Sequence, residues 1–519
     1  MTTTRRALLR GAALTAAASA VAAVPASAQS PVRPRPRAGD PFTLGVASGE
    51  PDAHSVVLWT RLAHDPLAED GFGGMPAKAT EVDWELAEDE RFTKIVRRGT
   101  TKAEPASGHS VHVEASGLKP GAEYFYRFRA NGHLSPHGRT RTAPAAGVLS
   151  TPLLLCFASC AHYEYGYYTA YRHLAAEEPD LVAFLGDYQY ENGGSSGKVR
   201  KHAGPETVSL ANYRQRYAQY KADADLQAAH AIAPWTPVFD DHEVENNWAG
   251  EVPEESDHAS RKEFLARRAR AFQAYYENMP LRPAQRPDGS AIQLYRERAW
   301  GGLVNLHMLD TRQFRDDQLS GDGIKYDPHR KDAHRTIMGA DQERWLGDRL
   351  RSSAARWDVL GQQVFFSQLD FTPGAGETNN MDAWDGYAAN RDRIVDAWVA
   401  AKTRNVVVLT GDVHANWAAD IKKRFTDPES PVVGTELVTT SITSNGDGSD
   451  TNKDTAGILK ENPHVKFYNG QRGYVRTKFT PSEVRADYRV VPYVSRKGAP
   501  ISTRASFTVA DREPGLHRN

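Results

Sequence analysis

An α/β fold with helices covering a parallel sheet, preceded by a small all-β sandwich, is the reading that three observations support. Four continuous apolar runs, Leu153–Cys160, Leu181–Tyr190, Thr236–Asn247 and Asn405–His414, each end in polar residues suited to binding metal. Runs of this kind suit strands buried on both faces, as in a sheet covered by helices. From Leu153 onward such runs alternate with helical segments, the order of an α/β layer fold. Between Pro41 and Thr142, in contrast, short strand patterns follow one another with turn residues between them, the spacing of a sandwich.

The elements follow in chain order. Arg5 and Arg6 precede an alanine-rich stretch ending in Ala26-Ser27-Ala28, which matches the charged start, apolar middle and small-residue cleavage site of an export signal over residues 1–28. The arginine pair makes it twin-arginine-like, so the twin-arginine export machinery is the expected partner and the mature chain is expected to be secreted. The stretch is too short and too rich in alanine to be read as a permanent membrane anchor. The sandwich, residues 41–142, has its clearest strands at Phe42–Ala47, Ser55–Leu62, Val82–Leu86, Ser110–Glu114 and Tyr124–Ala130. The segment from Gly117 to Phe128 resembles the tyrosine corner of fibronectin type III domains, and Arg139–Gly147 reads as a linker. In the α/β part, residues 150–510, helices are expected at Tyr167–Glu178, Leu210–His230, Ala259–Asn278, Ala340–Arg351 and Asn390–Lys402. Strands at Glu436–Ser441, Gly473–Thr480, Glu483–Val491 and Ala505–Val509 are expected to form a second sheet packed on the first. Gly193–Lys198 and Thr443–Thr455 read as loops near the site.

A chain of 519 residues exceeds one ordinary core. Its formal net charge of -1 supplies no field that would favour nucleic acid or an anionic membrane. Its only cysteines are Cys156 and Cys160. On one extended strand their Cα atoms lie roughly 13 Å apart, beyond disulfide reach of about 7 Å. Cys156 reads as a core residue, and Cys160, where the run turns polar, as a candidate thiolate ligand.

In a parallel sheet the carboxyl ends of the strands share one edge, where ligands bind. The four runs therefore bring Cys160, Asp187, Tyr190, Asp240, Asp241, His242, Asn247, Asp412 and His414 to one place, a candidate polynuclear metal site. Carboxylate and phenolate oxygen from Asp187 and Tyr190, with a thiolate from Cys160, suit ferric iron. Asp240, Asp241, Asn247 and Asp412 supply hard oxygens that favour Ca²⁺, Mg²⁺ or Mn²⁺. His242 and His414 follow strand-end carboxylates and could bind metal or steady a reacting oxygen. Arg312 could clamp a phosphate through its bidentate fork, or pair with Asp310 or Asp316.

Taken together, Phe157–Cys160, Gly186–Glu191, Asp240–Trp248, Leu309–Arg315, Trp384–Tyr387 and Leu409–His414 closely resemble the PhoD-type alkaline phosphatases over nearly the whole mature chain. The resemblance implies a calcineurin-like metallophosphoesterase core, two packed sheets flanked by helices in four layers, holding one Fe³⁺ and one or two Ca²⁺. Carried over, Cys160, Asp187, Tyr190 and His414 would hold iron, with Asp187 bridging to calcium. Asp240 or Asp241, Asn246 or Asn247, and Asp412 would hold calcium.

The expected activity is hydrolysis of phosphate mono- and diesters by metal-activated in-line attack, with Asp187, His242, Arg312 and His414 as catalytic residues. Gly193–Gly197 matches the Gly-x-Ser-x-Gly pattern, but it lies in a segment that reads as a loop and not as the strand-to-helix turn of a nucleophile elbow, so no serine nucleophile is expected. A phospholipase D acting on phosphatidyl headgroup esters is the alternative within the same family. It would need an apolar approach, for which Trp235, Trp248, Trp384 and Trp417 are candidates. A noncatalytic protein whose sandwich binds a surface polymer is the rival of another class, and the complete ligand sets argue against it.

Overall fold

The computed structural model describes residues 39–254 and 256–519, so the expected export signal lies outside the described residues. Among the described residues no helix is long and apolar enough to cross a membrane.

Two sheets dominate. The first has ten strands, in the order Glu513–Arg518, Ser502–Ala510, Glu483–Val491, Arg472–Phe479, Leu153–Ala158, Leu181–Leu185, Pro234–Val238, Val46–Gly49, Ser55–Arg61 and Ser110–Ser116. The three apolar runs at its centre pair in parallel, with Val182 opposite Cys156 and opposite Trp235. The second has seven strands, ordered Arg296–Trp300, Val304–Met308, Trp357–Gln362, Val406–Thr410, Val432–Val438, Asn416–Lys422 and Val465–Asn469. The fourth apolar run thus belongs to the second sheet. The single shared edge expected from the sequence is instead the common end of two stacked sheets.

Side-chain alternation explains the stacking. In Val406–Thr410, Val407 and Leu409 join the core between the sheets, while Val406 and Val408 face a second core under the helices Gly339–Ser352 and Ala388–Ala401. The first sheet is covered by helices Thr169–Ala176, Leu210–Lys221, Ala224–Ile232 and Arg261–Asn278, whose aromatic residues Tyr171, Tyr217 and Phe272 pack on it. The result is the expected four layers of helix, sheet, sheet and helix. Where one helix was expected over Leu210–His230, the chain breaks at Asp223, whose carboxylate accepts from Asp225 N and caps a second helix.

The N-terminal sandwich shares one of its two sheets with the α/β part. Strands Val46–Gly49, Ser55–Arg61 and Ser110–Ser116 extend the ten-stranded sheet, with Ser48 opposite Pro234. Its other half is a five-stranded sheet of Ile95–Ala103, Thr80–Ala87, Glu123–Ala130, His133–Leu134 and Gly138–Arg141. Val56, Leu58 and Val113 pack there against Val82, Leu86 and Tyr126. The tyrosine corner is present, since Tyr124 Oη accepts from Lys119 N at 2.9 Å.

Glu50, fully buried after the first of these strands, ties this half to the second sheet by accepting from Arg296 Nε at 2.8 Å and Arg298 Nε at 2.7 Å. Burial alone would raise its carboxyl, but the two guanidiniums hold it at about 2. Because the folded value lies below the ordinary 4.5, the stabilisation is complete above about pH 4.5 and lost as pH falls toward 2. Glu50→Ala, which strands two guanidiniums, is expected to lower unfolding free energy in urea by about 3–5 kcal/mol at neutral pH. A loss below about 1 kcal/mol would show that water replaces the pairing.

Candidate metal centre

At the common end of the sheets each apolar run stops in a turn. Cys160 (φ 59°), Asp187 (58°), Asn247 (48°), Asp412 (60°) and His414 (53°) are all left-handed. This conformation costs a residue other than glycine roughly 1–2 kcal/mol, and such strain collects where surrounding structure holds it for function. The glycines of the two Gly-Asp pairs explain how the ends meet. A Cβ at Gly186 (φ 103°) would collide with Asp240, and one at Gly411 would lie 2.9 Å from Ser159 Cβ and 3.1 Å from Leu185 O. Ile442 N donates to Ser159 O at 3.0 Å, and Cys160 N to Gly186 O at 3.1 Å, locking both sheets at this end.

Two groups of ligand atoms form here. Cys160, Asp187 and His414 place theirs within 4.8 Å of one another. Tyr190 joins them, its hydroxyl donating to Asp187 Oδ2 at 2.8 Å and lying 3.2 Å from His414 Nε2. Asp187, Asp241 and His242 form the second group, again within 4.8 Å. Glu191 Oε2 holds His242 Nδ1 at 2.7 Å, so the ring offers its other nitrogen to the cluster. Asp187 belongs to both groups.

The remaining candidates lie around these two. Asp241 Oδ2 accepts from Asn247 N at 2.8 Å, and the Asn247 amide donates to Asp322. Asp412 and His414 are half-buried, and both line the cavity that opens at the cluster. Arg312 is fully buried, with Nε donating to Asp240 Oδ1 at 2.5 Å and both terminal nitrogens to Asp382 at 2.7 Å. It makes neither of the expected side-chain pairs with Asp310 or Asp316. Its fork is committed to Asp240 and Asp382, so it reaches phosphate only by releasing them. Trp235, Trp248 and Trp384 are core residues with no exposure, and Trp417 alone reaches a cavity wall. The apolar approach that the lipid-directed alternative required does not run through the other three.

Charge dominates the chemistry. Burial, followed by Asp241, Asp240 and Glu243, raises the Asp187 carboxyl well above the carboxylate range against the pull of His242. Burial, then Asp240 and Asp382, does the same to Asp412. Asp240 is pushed up to about 6 by burial despite Arg312. Burial also raises the Cys160 thiol and the Tyr190 phenol, with Asp187 adding to each. His242 is held high against burial by Glu191, Asp241 and Asp187. Asp187 Oδ1, Asp240 Oδ2 and Asp241 Oδ1 are buried without a hydrogen-bond partner. Unpartnered buried carboxylate oxygens beside a thiol, a phenol and two imidazoles fit bound cations, which would reverse these shifts.

Three supporting residues escaped sequence reasoning. Glu243 accepts from Asp187 N at 3.1 Å, Tyr188 N at 2.7 Å and Asp240 N at 2.9 Å, joining two strand ends through one carboxylate. Its place in Asp240–Glu243 resembles a capping pattern, which was its only signal. Asp382 lies two residues before the Trp384 motif. Ser444, in a loop expected near the site, has Oγ 2.7 Å from Tyr190 Oη and 2.9 Å from Cys160 O.

Comparison with known proteins gives a consistent family. Residues 155–488 match the PhoD-like phosphatase family, and residues 26–144 match the PhoD-like phosphatase N-terminal domain. Alkaline phosphatase D of Bacillus subtilis (strain 168) is 51% identical over 484 residues, spanning 92% of this chain and 82% of that protein. A solved PhoD structure superposes with a TM-score of 0.89 at 51% identity, covering 92% of each chain. A purple acid phosphatase from yellow lupin seeds shares the fold, with a TM-score of 0.54 at 12% identity over 90% of this chain and 74% of that one.

Glu243→Ala would leave three backbone donors without their acceptor and loosen the Gly186-Asp187 turn and the strand end at Asp240. Turnover and metal content are expected to fall about 10- to 100-fold, the usual effect of removing a group that orients metal ligands. Unchanged values of both would show that the turns hold without it.

Proposed function

The chain belongs to the PhoD-like phosphatase family and is an enzyme of that kind, and from this premise we propose that it is a secreted, metal-dependent phosphoesterase acting on phosphate mono- and diesters. The observation that carries the reading is the sharing of Asp187 between two groups of ligand atoms, which lets one carboxylate face two cations. Cys160, Asp187, Tyr190 and His414 offer the soft and hard donors that suit Fe³⁺. Asp240, Asp241, Asn247 and Asp412 offer the hard oxygens that suit Ca²⁺, with His242 beside them. When bound, such cations polarise phosphoryl oxygens and lower the pKa of water toward neutrality.

The chain's own residues supply position and protons. Arg312 and Asp382 fix Asp240, and Glu243 fixes the backbone beneath Asp187 and Asp240. His242 and His414 are half-buried, unlike Cys160, Asp187 and Asp241, and so stand at the mouth where an ester arrives. Held by Glu191, His242 is placed to hydrogen-bond a phosphoryl oxygen or to give a proton to the departing alcohol. Export through the twin-arginine machinery rests on Arg5, Arg6 and the alanine-rich stretch after them.

Hydrolysis of para-nitrophenyl phosphate and of bis-para-nitrophenyl phosphate tests the reading, with and without a calcium-selective chelator. Both activities are expected to vanish in chelator and return with added Ca²⁺. Full activity after long exchange in excess chelator would contradict a catalytic calcium, and no activity on either ester would contradict the phosphoesterase.

A further inference from the structure

A cavity of about 330 Å³ opens directly beside Asp412 and His414. Its walls are mostly apolar, with Asn380 and Asp385 among them, although it adjoins the carboxylate cluster. Phe365, Leu369, Phe371, Trp417, Ile458 and Tyr468 line it. Trp417 meets Tyr468 edge to face with ring centroids 4.6 Å apart, and Phe365 at 5.8 Å, so the aromatic wall is held in a fixed shape. Phe371, Ile458 and Tyr468 are half-buried, which leaves apolar surface open to the cavity. The rim is polar, with Asn452 Nδ2 donating to Tyr468 Oη at 3.1 Å. Concave apolar walls with a few polar groups at one end are the form of a small-molecule site, and this volume lies at the small end of the usual range of about 300–1,000 Å³.

We propose that this cavity is a subsite for one apolar arm of the substrate, a short alkyl or aryl group esterified to the phosphate held at the strand ends. The inference rests on the phosphoesterase reading and extends it to substrate class. The contiguity decides the occupant: a group in this cavity is within reach of the residues that would hold the phosphoryl group, because His414 belongs both to the cavity wall and to the Cys160 and Asp187 group. The small volume favours a single short arm over a lipid chain.

Inhibition by methylphosphonate, phenylphosphonate and dodecylphosphonate, none of which has a scissile ester, reads the subsite apart from chemistry. Phenylphosphonate is expected to bind at least about tenfold more tightly than methylphosphonate, the gain from burying a ring. In Phe371→Ser and Ile458→Ser, both at half-buried positions of the wall, that ratio is expected to fall toward one. Equal constants for methyl- and phenylphosphonate in the wild-type enzyme, or a ratio that survives in both variants, would overturn the subsite while leaving the phosphoesterase intact. A further large gain for dodecylphosphonate would overturn the short arm in favour of a lipid chain. A wild-type protein that neither hydrolyses para-nitrophenyl phosphate nor is inhibited by methylphosphonate would overturn the phosphoesterase reading, and the subsite with it.

Discussion

Mutual repulsion among the buried Asp187, Asp240 and Asp241 and the half-buried Asp412, gathered at the end of two sheets, is the constraint to which the surrounding structure answers. Two like charges about 4 Å apart at an effective dielectric near 20 repel by about 4 kcal/mol. Arg312, paired with Asp240 and Asp382, offsets one of them, and His242, paired with Glu191, stands against two others. Glu243 turns its carboxylate toward backbone donors, which satisfies it without a further cation. Even so, Asp187 Oδ1, Asp240 Oδ2 and Asp241 Oδ1 are buried without a hydrogen-bond partner. Bound cations would complete such an arrangement.

Bringing those carboxylates together requires the two-sheet architecture. Cys160, Asp187 and Asp240 leave the first sheet and Asp412 and His414 the second. Left-handed turns at Cys160, Asp187, Asp412 and His414 end the strands where the two layers touch, and Gly186 and Gly411 allow the backbones to approach without a Cβ between them. The N-terminal strands serve the same end indirectly. By extending the first sheet and pairing Glu50 with Arg296 and Arg298 of the second, they tie the layers together.

Much of this was legible because parallel strands buried on both faces leave long apolar runs, and Gly-Asp after such a run marks a strand end. The convergence of Cys160, Asp187, Tyr190 and His414 followed from those signals, while the four-layer order and the tyrosine corner came with resemblances to known families. Of the strands expected to form a second sheet, those at Gly473–Thr480, Glu483–Val491 and Ala505–Val509 lie in the first. Assignment of Asn405–His414 to a separate sheet was hidden, since a buried strand reads the same in either layer. Pairing of Arg312 with Asp382 was hidden because the partners lie 70 residues apart and meet only through the fold. The break at Asp223 failed to show because alanine and glutamine on both sides carry good helix propensity. Sharing of the first sheet by the N-terminal strands escaped because their short alternating pattern suits a sandwich of either parentage.

The shared position of Asp187 is the centre of the account, and the metal content of Asp187→Asn tests it most directly. Iron and calcium measured by elemental analysis on purified wild type and variant, with circular dichroism confirming the fold of each, decide the matter. The account predicts that both metals fall together in the variant and that turnover drops by several orders of magnitude. Retention of either metal at the wild-type stoichiometry, with most of the activity kept, would contradict it.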